Sequence, residues 1–214
     1  EKNINKNTKC ILAVHLNGMS CDMKELIKIK NKYNLFLVED CSQSHGGTFN
    51  NRKLGNFGDI SVFSFCQDKI ISTAGEGGCI LTNNRKLHNF MWTYSDIGRN
   101  AKYKKNIYQE IHKENKNKNL NYKYIYNSVG LNCRMTSLQA EIGNYQLKKL
   151  DKNIRERNRL SKILNKNLSN VDYLILPETS KDSLNAFYRY CLIFKENKIK
   201  IKDMIKKINY FFPN

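Results

Sequence analysis

The chain has 214 residues, of which 40% are hydrophobic and 11% aromatic, a composition that excludes a disordered protein and suits one substantial α/β domain with part of a second. It contains no run of about eighteen apolar residues and no charged-then-apolar leader, so we expect neither a transmembrane span nor a secretory signal. The formal net charge of +18 would suit nucleic-acid binding.

The distribution of that charge favours another explanation. Lysines alternate with asparagines in segments such as 113–119 and 195–200, which is typical of a solvated surface in a protein encoded by an AT-rich gene. We therefore expect no nucleic-acid partner, although polyanion binding, nucleic acid included, stays open as an alternative that only the charge supports. A phosphorylated or nucleotide-linked substrate would also gain from the positive field.

The cysteines indicate a reducing compartment. Seven cysteines are scattered singly, without a CxxC pair, and several lie in apolar runs where a free thiol behaves as a small hydrophobic group. We predict no disulfide framework and no metal site, and we expect the protein in the cytoplasm. The cysteines are Cys10, Cys21, Cys41, Cys66, Cys79, Cys133 and Cys191.

The first elements in chain order form a predicted βαβ unit. The apolar run 10–14 is a strand, and Asp22 can cap a helix over 23–33 whose apolar residues recur at helical spacing. Residues 35–39 form the next strand. Strand, helix and strand at this spacing predict a parallel sheet with a right-handed crossover.

The remaining elements continue the α/β pattern. We predict strands at 60–65 and 79–82, a helix at 85–94 and a long polar loop at 98–126. A long amphipathic helical stretch follows from 136 to 168, which a kink could interrupt. A strand at 188–194 and a helix at 202–209 would begin a smaller α/β unit. We place the large domain at 1–150, and the connecting helix with the start of a truncated small domain at 151–214.

Two residues at predicted strand ends have the chemistry of a functional site. Asp40 closes a strand of the buried type, where open α/β sheets bind their ligands, and it could pair with a protonated ring nitrogen or simply cap a turn. Lys69 follows the strand at 60–65, and partial desolvation there would lower its pKa and make it nucleophilic. In so basic a chain, Lys69 could equally be an ordinary surface lysine.

Neighbouring residues strengthen this hypothesis. The Ser64 hydroxyl could bind a phosphate, and Gln43 lies close enough to Asp40 in the chain to contact the same ligand. His45 could stack on a ring or merely fill a turn, and we favour the turn. The glycines at 75–78 precede a strand and lack the spacing of a dinucleotide fingerprint, so they indicate a tight turn.

Taken in order, these residues resemble the DegT/DnrJ/EryC1/StrS family of sugar aminotransferases, which use pyridoxal phosphate (PLP) and have the aspartate aminotransferase fold (fold type I). The resemblance runs from about Thr8 to Phe194. It implies a PLP-binding large domain with a mainly parallel sheet, followed by a small C-terminal α/β domain. The matching segments are 14–18, 38–46, 54–59, 63–69, 75–78 and 132–140.

The resemblance implies a role for each matching residue. Lys69 would hold the cofactor covalently and then shuttle a proton at the substrate carbon. Asp40 would lie at the pyridine nitrogen, Gln43 near the phenolic oxygen of the ring and Ser64 at the phosphate. Asn132 would reach the phosphate from the neighbouring subunit, which implies a homodimer.

The resemblance also implies a reaction and its alternatives. We expect transamination of a nucleotide-linked keto-sugar, with glutamate as amino donor, in amino-sugar biosynthesis for a surface polysaccharide or related glycan. Members of a dehydrating branch of the family carry histidine in place of the lysine, so Lys69 favours transamination. Family members also have an N-terminal phosphate loop and a complete small domain that this chain lacks. We therefore expect a fragment, and an inactive remnant is a further alternative.

Overall fold

The computed structural model describes residues 1–99, 126–195 and 205–206. Within these ranges the chain alternates strands and helices, which confirms the α/β class. The strands are β1 (Cys10–Val14), β2 (Phe36–Asp40), β3 (Thr48–Phe49), β4 (Arg52–Lys53), β5 (Ile60–Ser64), β6 (Gly78–Leu81), β7 (Leu174–Ile175), β8 (Ser183–Leu184) and β9 (Ile193–Phe194). The helices are α1 (Met23–Tyr33), α2 (Arg85–Ser95), α3 (Ser137–Leu147) and α4 (Leu150–Leu168), with a 3-10 turn at Leu16–Gly18.

The main sheet has the order β1-β2-β5-β6. Strands β1, β2 and β5 are parallel, and β6 joins β5 in the antiparallel direction, so the predicted mainly parallel sheet is confirmed. In this register Asp40 lies beside Val14 on one side and Val62 on the other. The ends of all three parallel strands therefore meet at one edge of the sheet, where ligands bind in open α/β folds.

Helix α1 connects β1 to β2 as the sequence predicts. The Asp22 side chain accepts a hydrogen bond from the backbone N–H of Glu25, and Asn34 ends the helix in the left-handed conformation. Met23, fully buried, packs with Leu37 in the main core cluster. Apolar spacing and a capping residue are sufficient to explain this helix.

The predicted helical stretch from 136 to 168 consists of two helices. Thr136 and Gln139 form a capping box at the start of α3. The helix is interrupted at Lys148 and Lys149, and α4 begins at Leu150. Ile154 of α4, only 2% exposed, packs on the loop after β2. It does so closely enough that a Cβ at Gly46 would lie 2.8 Å from its side chain.

The predicted strand at 188–194 is mostly wrong. Only Ile193–Phe194 is a strand, and it pairs with β7. The residues before it lie against the 3-10 turn instead, where the N–H of Ala186 donates to the Gly18 carbonyl at 2.8 Å and that of Arg189 donates to the Asn17 carbonyl at 3.3 Å. These N–H groups are thus satisfied by a loop rather than by a neighbouring strand.

Other predictions differ or stay open. The short strands β3, β4 and β8, which form a separate sheet, were not predicted, because two-residue strands have no detectable alternation. The predicted loop at 98–126 and helix at 202–209 lie almost entirely outside the described residues, and the domain boundary at 150 stays a prediction. Among the described helices, none is both long and apolar enough to cross a membrane.

A buried carboxylate holds the loop before β5 against the sheet. Glu39, fully buried in β2, accepts hydrogen bonds from three backbone N–H groups of the loop 55–58 at 2.6–2.8 Å. The buried His15 ring lies 3.2 Å from the same carboxylate through Nε2. Burial alone raises the pKa of Glu39, but these hydrogen bonds outweigh it, so the pKa lies below its usual value.

We expect Glu39→Gln to lower the free energy of unfolding by about 3 kcal/mol at neutral pH, because an amide cannot satisfy all four donors around it. Since the folded-state pKa of Glu39 is lowered, its stabilisation is present above the unfolded pKa and is lost as the pH falls through the folded value. Urea denaturation at several pH values should therefore show a shallower acid destabilisation in the variant than in the wild type.

Glu25→Gln is the matched control, because that side chain is 51% exposed and, among the described residues, forms a surface ion pair with Lys28 alone. It should change the free energy of unfolding by less than about 0.5 kcal/mol. Equal stability of the two variants would contradict a structural role for Glu39.

Candidate active site

Asp40 and Gln43 lie just beyond the end of β2. Asp40 is half-buried, and its carboxylate accepts a hydrogen bond from the Ser42 N–H at 2.9 Å. The Gln43 side-chain oxygen accepts one from the Asn17 N–H at 2.6 Å. Asn17 belongs to the turn after β1, so Gln43 joins the ends of two neighbouring strands.

Ser64 and Lys69 occupy the corresponding position after β5. Ser64 is the last residue of β5, and its hydroxyl accepts a hydrogen bond from the Cys66 N–H at 3.3 Å. A turn closed by a 3.0 Å hydrogen bond from the Lys69 N–H to the Cys66 carbonyl brings the lysine back toward the sheet. Because β2 and β5 are parallel neighbours, Ser64 at the end of β5 lies at the same sheet edge as Asp40 at the end of β2, and Lys69 follows in the turn after Ser64.

The Lys69 amine is shielded and charged. Its side chain is 15% exposed, and Nζ lies 3.3 Å from an Asp68 carboxylate oxygen and 3.5 Å from the Tyr188 hydroxyl. Partial burial lowers the pKa of Lys69, but these contacts outweigh it, so the pKa lies above its usual value. The predicted lowering of this pKa is therefore wrong, because the sequence did not reveal how close the carboxylate lies.

His45 is buried against the aromatic side chains of β5 and the residue that follows it. Its ring is 2% exposed, with its centroid 5.4 Å from that of Phe63 and 5.9 Å from that of Phe65. Burial lowers the pKa of His45 to about 4 and the nearby charge of Lys69 adds to this, against an opposing effect of the Ser64 backbone. Within the described part of the chain neither ring nitrogen makes a hydrogen bond of good geometry, although the Ser64 backbone lies close enough to raise the pKa against these effects.

Asn132 belongs to an arm, residues 131–134, that is attached to the end of α2. Backbone hydrogen bonds of 2.7–2.9 Å fix this arm, and Asn132 forms a β-bridge with Asp96. The buried Asp96 carboxylate also forms ion pairs with Arg134 and, at 3.2 Å, with Arg99. The Asn132 residue itself is exposed.

A second cluster of titratable residues lies behind the site. The ligand atoms of His15, Glu39 and Cys41 fall within 4.8 Å of one another, a spacing that could suit a metal ion. The Glu39 carboxylate is already occupied by backbone N–H groups, and the Cys21 N–H donates to His15 Nδ1 at 3.2 Å. The cluster is therefore explained as hydrogen-bonded core.

Sequence reasoning missed three residues that hold the predicted ones. Asp68 is adjacent to Lys69 in the chain, but nothing in the sequence indicated that it would turn toward the amine. Tyr188 lies 119 positions away from Lys69, and only its place in the folded chain reveals the contact. Asp96 precedes the predicted loop and lies outside every segment that carries the resemblance, although its partner Arg134 lies within the matching segment 132–140.

The donor set at the sheet edge fits PLP. A carboxylate suits a protonated pyridine nitrogen, a hydroxyl suits a phosphate and a lysine suits an aldehyde. The fold and this set of donors are those expected in the fold class of the PLP-dependent aminotransferases.

The comparisons with known proteins identify the family. The model of the DegT/DnrJ/EryC1/StrS aminotransferase family matches residues 1–210, and the chain belongs to this family. The GDP-perosamine synthase of Escherichia coli O157:H7 is 32% identical over 193 residues, which cover 90% of this chain and 46% of that protein. The predicted family and fold are thereby confirmed.

Solved structures agree. The chain is similar to an aminotransferase from Psychrobacter cryohalolentis, with a TM-score of 0.84, 32% identity and coverage of 97% of this chain and 53% of that one. It shares its fold with an E. coli GDP-4-keto-6-deoxy-D-mannose-3-dehydratase solved with bound hydrated PLP, at a TM-score of 0.83, 24% identity and coverage of 98% and 53%. The chain thus spans about half the length of the relatives it matches.

We expect Asp96→Asn to loosen the arm without unfolding the domain. Removing the charge that pairs with two guanidinium groups should lower the free energy of local opening of the arm by about 1.5–3 kcal/mol. This corresponds to roughly ten- to hundredfold faster amide exchange in the arm. Hydrogen exchange followed by mass spectrometry would measure this, with the exchange of α1 as an internal reference. Asp182→Asn, at an exposed position, is the control. Unchanged protection of the arm would show that backbone contacts alone fix it.

Proposed function

We propose that the full-length protein transfers the amino group of an amino acid, with glutamate as the expected donor, to a nucleotide-linked keto-sugar, using PLP. The product would be an amino sugar for a surface polysaccharide or a related glycan. The observation that carries this proposal is that Asp40 ends β2 and Lys69 follows the end of the neighbouring parallel strand β5, in a chain of the DegT/DnrJ/EryC1/StrS aminotransferase family. The relative named for GDP-perosamine synthesis supports a nucleotide-linked substrate.

Each residue would contribute a distinct part of the chemistry. PLP supplies an electron sink when bound. Lys69 would bind its aldehyde and afterwards hold or move the proton at the reacting carbon of the substrate. Asp40 would keep the ring nitrogen protonated, Gln43 would contact the phenolic oxygen, and the Ser64 hydroxyl would bind the phosphate.

We further propose a homodimer in which Asn132 reaches the phosphate bound by the partner subunit. The support is its exposure on an arm that is otherwise firmly attached to α2. Apolar residues near it in the chain are also strongly exposed, with Val129 at 91%, Leu131 at 55% and Leu138 at 72%. A patch of this kind on a polar surface is typical of an interface between proteins.

The alternative reaction is removal of a sugar hydroxyl by the same cofactor. One observation favours considering it, since a 3-dehydratase shares the fold along nearly the whole chain. Lysine at position 69, where the dehydrating branch has histidine, argues for amino transfer. A truncated, inactive remnant is the remaining alternative, and both are outcomes of the experiments below.

We expect Lys69→Arg to abolish covalent capture of the cofactor. The full-length protein mixed with PLP should show the visible absorption of a lysine-bound cofactor, and borohydride reduction followed by peptide mapping should place the label on Lys69. Lys28→Arg, whose side chain is 73% exposed, should keep both signals. A Lys69→Arg protein that retains the band and turnover would refute the assignment, and a wild type without the band would indicate the inactive remnant.

We expect Asp40→Asn to lower turnover on the order of a hundredfold, because an amide does not stabilise a protonated ring nitrogen as a carboxylate does. The assay is glutamate-dependent amination of a panel of nucleotide-linked keto-sugars by the full-length protein. Asp22→Asn is the matched control, since asparagine caps a helix as well as aspartate does. Loss of a sugar hydroxyl without glutamate consumption would instead establish the dehydratase.

A further inference from the structure

Lys69 is one corner of a triangle of interacting groups. The Tyr188 hydroxyl donates a hydrogen bond to one Asp68 carboxylate oxygen, and the Lys69 amine lies 3.3 Å from the other. The same amine lies 3.5 Å from the Tyr188 oxygen and 4.8 Å from the centre of its ring. Each group therefore contacts both of the others.

The backbone brings Tyr188 to this position. Gly18 has φ +86°, and a Cβ there would lie only 2.7 Å from the backbone nitrogens of Phe187 and Tyr188, so a residue with a side chain would force the two segments apart. The Arg157 guanidinium donates to the Phe187 carbonyl at 2.8 Å and fixes the segment from the side of α4. The contact with Lys69 is thus part of the fold rather than a chance approach of two surface side chains.

The charges around the triangle are few. Arg189 lies 5.1 Å from the centre of the Tyr188 ring and donates to its hydroxyl at 3.4 Å. His45, whose pKa is lowered to about 4, is neutral at pH 7. Asp68 is therefore the single anionic group in contact with the Lys69 amine among the described residues, and Arg189 adds a second positive charge beyond Tyr188.

We propose that Asp68 and Tyr188 form a holding site for the Lys69 ammonium, which positions this lysine and keeps it protonated whenever it is not bonded to the cofactor. The proposal rests on the proposed function of Lys69 and adds two positioning residues to it. Asp68 supplies the negative charge, and Tyr188 orients that carboxylate while its ring covers the amine.

The protonation states agree with this geometry. The hydrogen bond from Tyr188 is the main reason that the pKa of Asp68 falls to about 2, with smaller contributions from Cys66 and Lys69, so this carboxylate is ionised at neutral pH. Asp68 and Tyr188 in turn raise the pKa of Lys69 against the effect of burial. The holding site therefore lowers the fraction of Lys69 that is unprotonated at neutral pH. It also raises the pH at which Lys69 becomes nucleophilic.

Competitive labelling of the cofactor-free protein with trace acetic anhydride tests the proposal, because only the free amine reacts. Mass spectrometry of the peptide containing Lys69 gives its acetylation rate at each pH. We expect Asp68→Asn to raise the rate near pH 8 by roughly two- to fivefold, the range of a partly exposed ion pair, and to move the pH profile of Lys69 to lower pH. Tyr188→Phe should move it less in the same direction, and Asp68→Glu should restore the wild-type profile.

Asp151→Asn is the matched control, because Asp151 forms a comparable ion pair with Lys53 at 3.0 Å. It should change the labelling of Lys53 and leave that of Lys69 unchanged. Unfolding would raise the reactivity of both lysines together, so a change confined to Lys69 reports the holding site. An unmoved Lys69 profile in Asp68→Asn would overturn the proposal, as would an equal shift in Asp151→Asn. The labelling requires neither cofactor nor substrate, so its outcome is separate from the capture experiment on Lys69→Arg.

Discussion

The rest of the site depends on the hydrogen bonds that the Glu39 carboxylate accepts from the loop 55–58. This carboxylate is fully buried, and the backbone of the loop 55–58 supplies most of its hydrogen bonds. Successive side chains of a strand point to opposite faces, so holding Glu39 against this loop directs Asp40 to the other face of β2. The same contact fixes the chain that enters β5, and with it the position of Ser64. One buried charge thus orders the ends of two strands that carry the predicted cofactor site.

The turn after β1 is the second organising element. The N–H of Asn17 in this turn donates a hydrogen bond to the Gln43 side chain. Gly18, which has no side chain, lets the backbone at Phe187 and Tyr188 approach closely. The Asn17 and Gly18 carbonyl groups accept hydrogen bonds from the N–H groups of Arg189 and Ala186. A single turn therefore connects residues after β2 with residues almost 150 positions further along the chain. The cost of a special backbone conformation at two consecutive positions is offset by these contacts.

The parts of this structure that were predictable depend on local pattern. Helix α1 follows from apolar spacing and the Asp22 cap, and the shared edge of Asp40 and Ser64 follows from two parallel strands that end there. Tyr188 was not predictable as a neighbour of Lys69, because their contact depends on a close approach of loops that no periodicity encodes. The direction of the Lys69 pKa shift was missed for the same reason, since burial and a nearby carboxylate act in opposite directions.

Within the described residues, part of the main sheet stays uncovered, and several of its apolar side chains are exposed. Strand β1 lies at the edge of the described sheet and leaves Leu12 63% and Val14 41% exposed, with Phe36 of β2 at 60%. Parallel sheets are normally covered on both faces, which agrees with a chain that spans about half the length of its relatives. Asp40, Gln43, Ser64 and Lys69 nevertheless have their neighbours within this half. Strands β1, β2 and β5 and the turn after β1, which position these four residues, all lie within the described part of this chain.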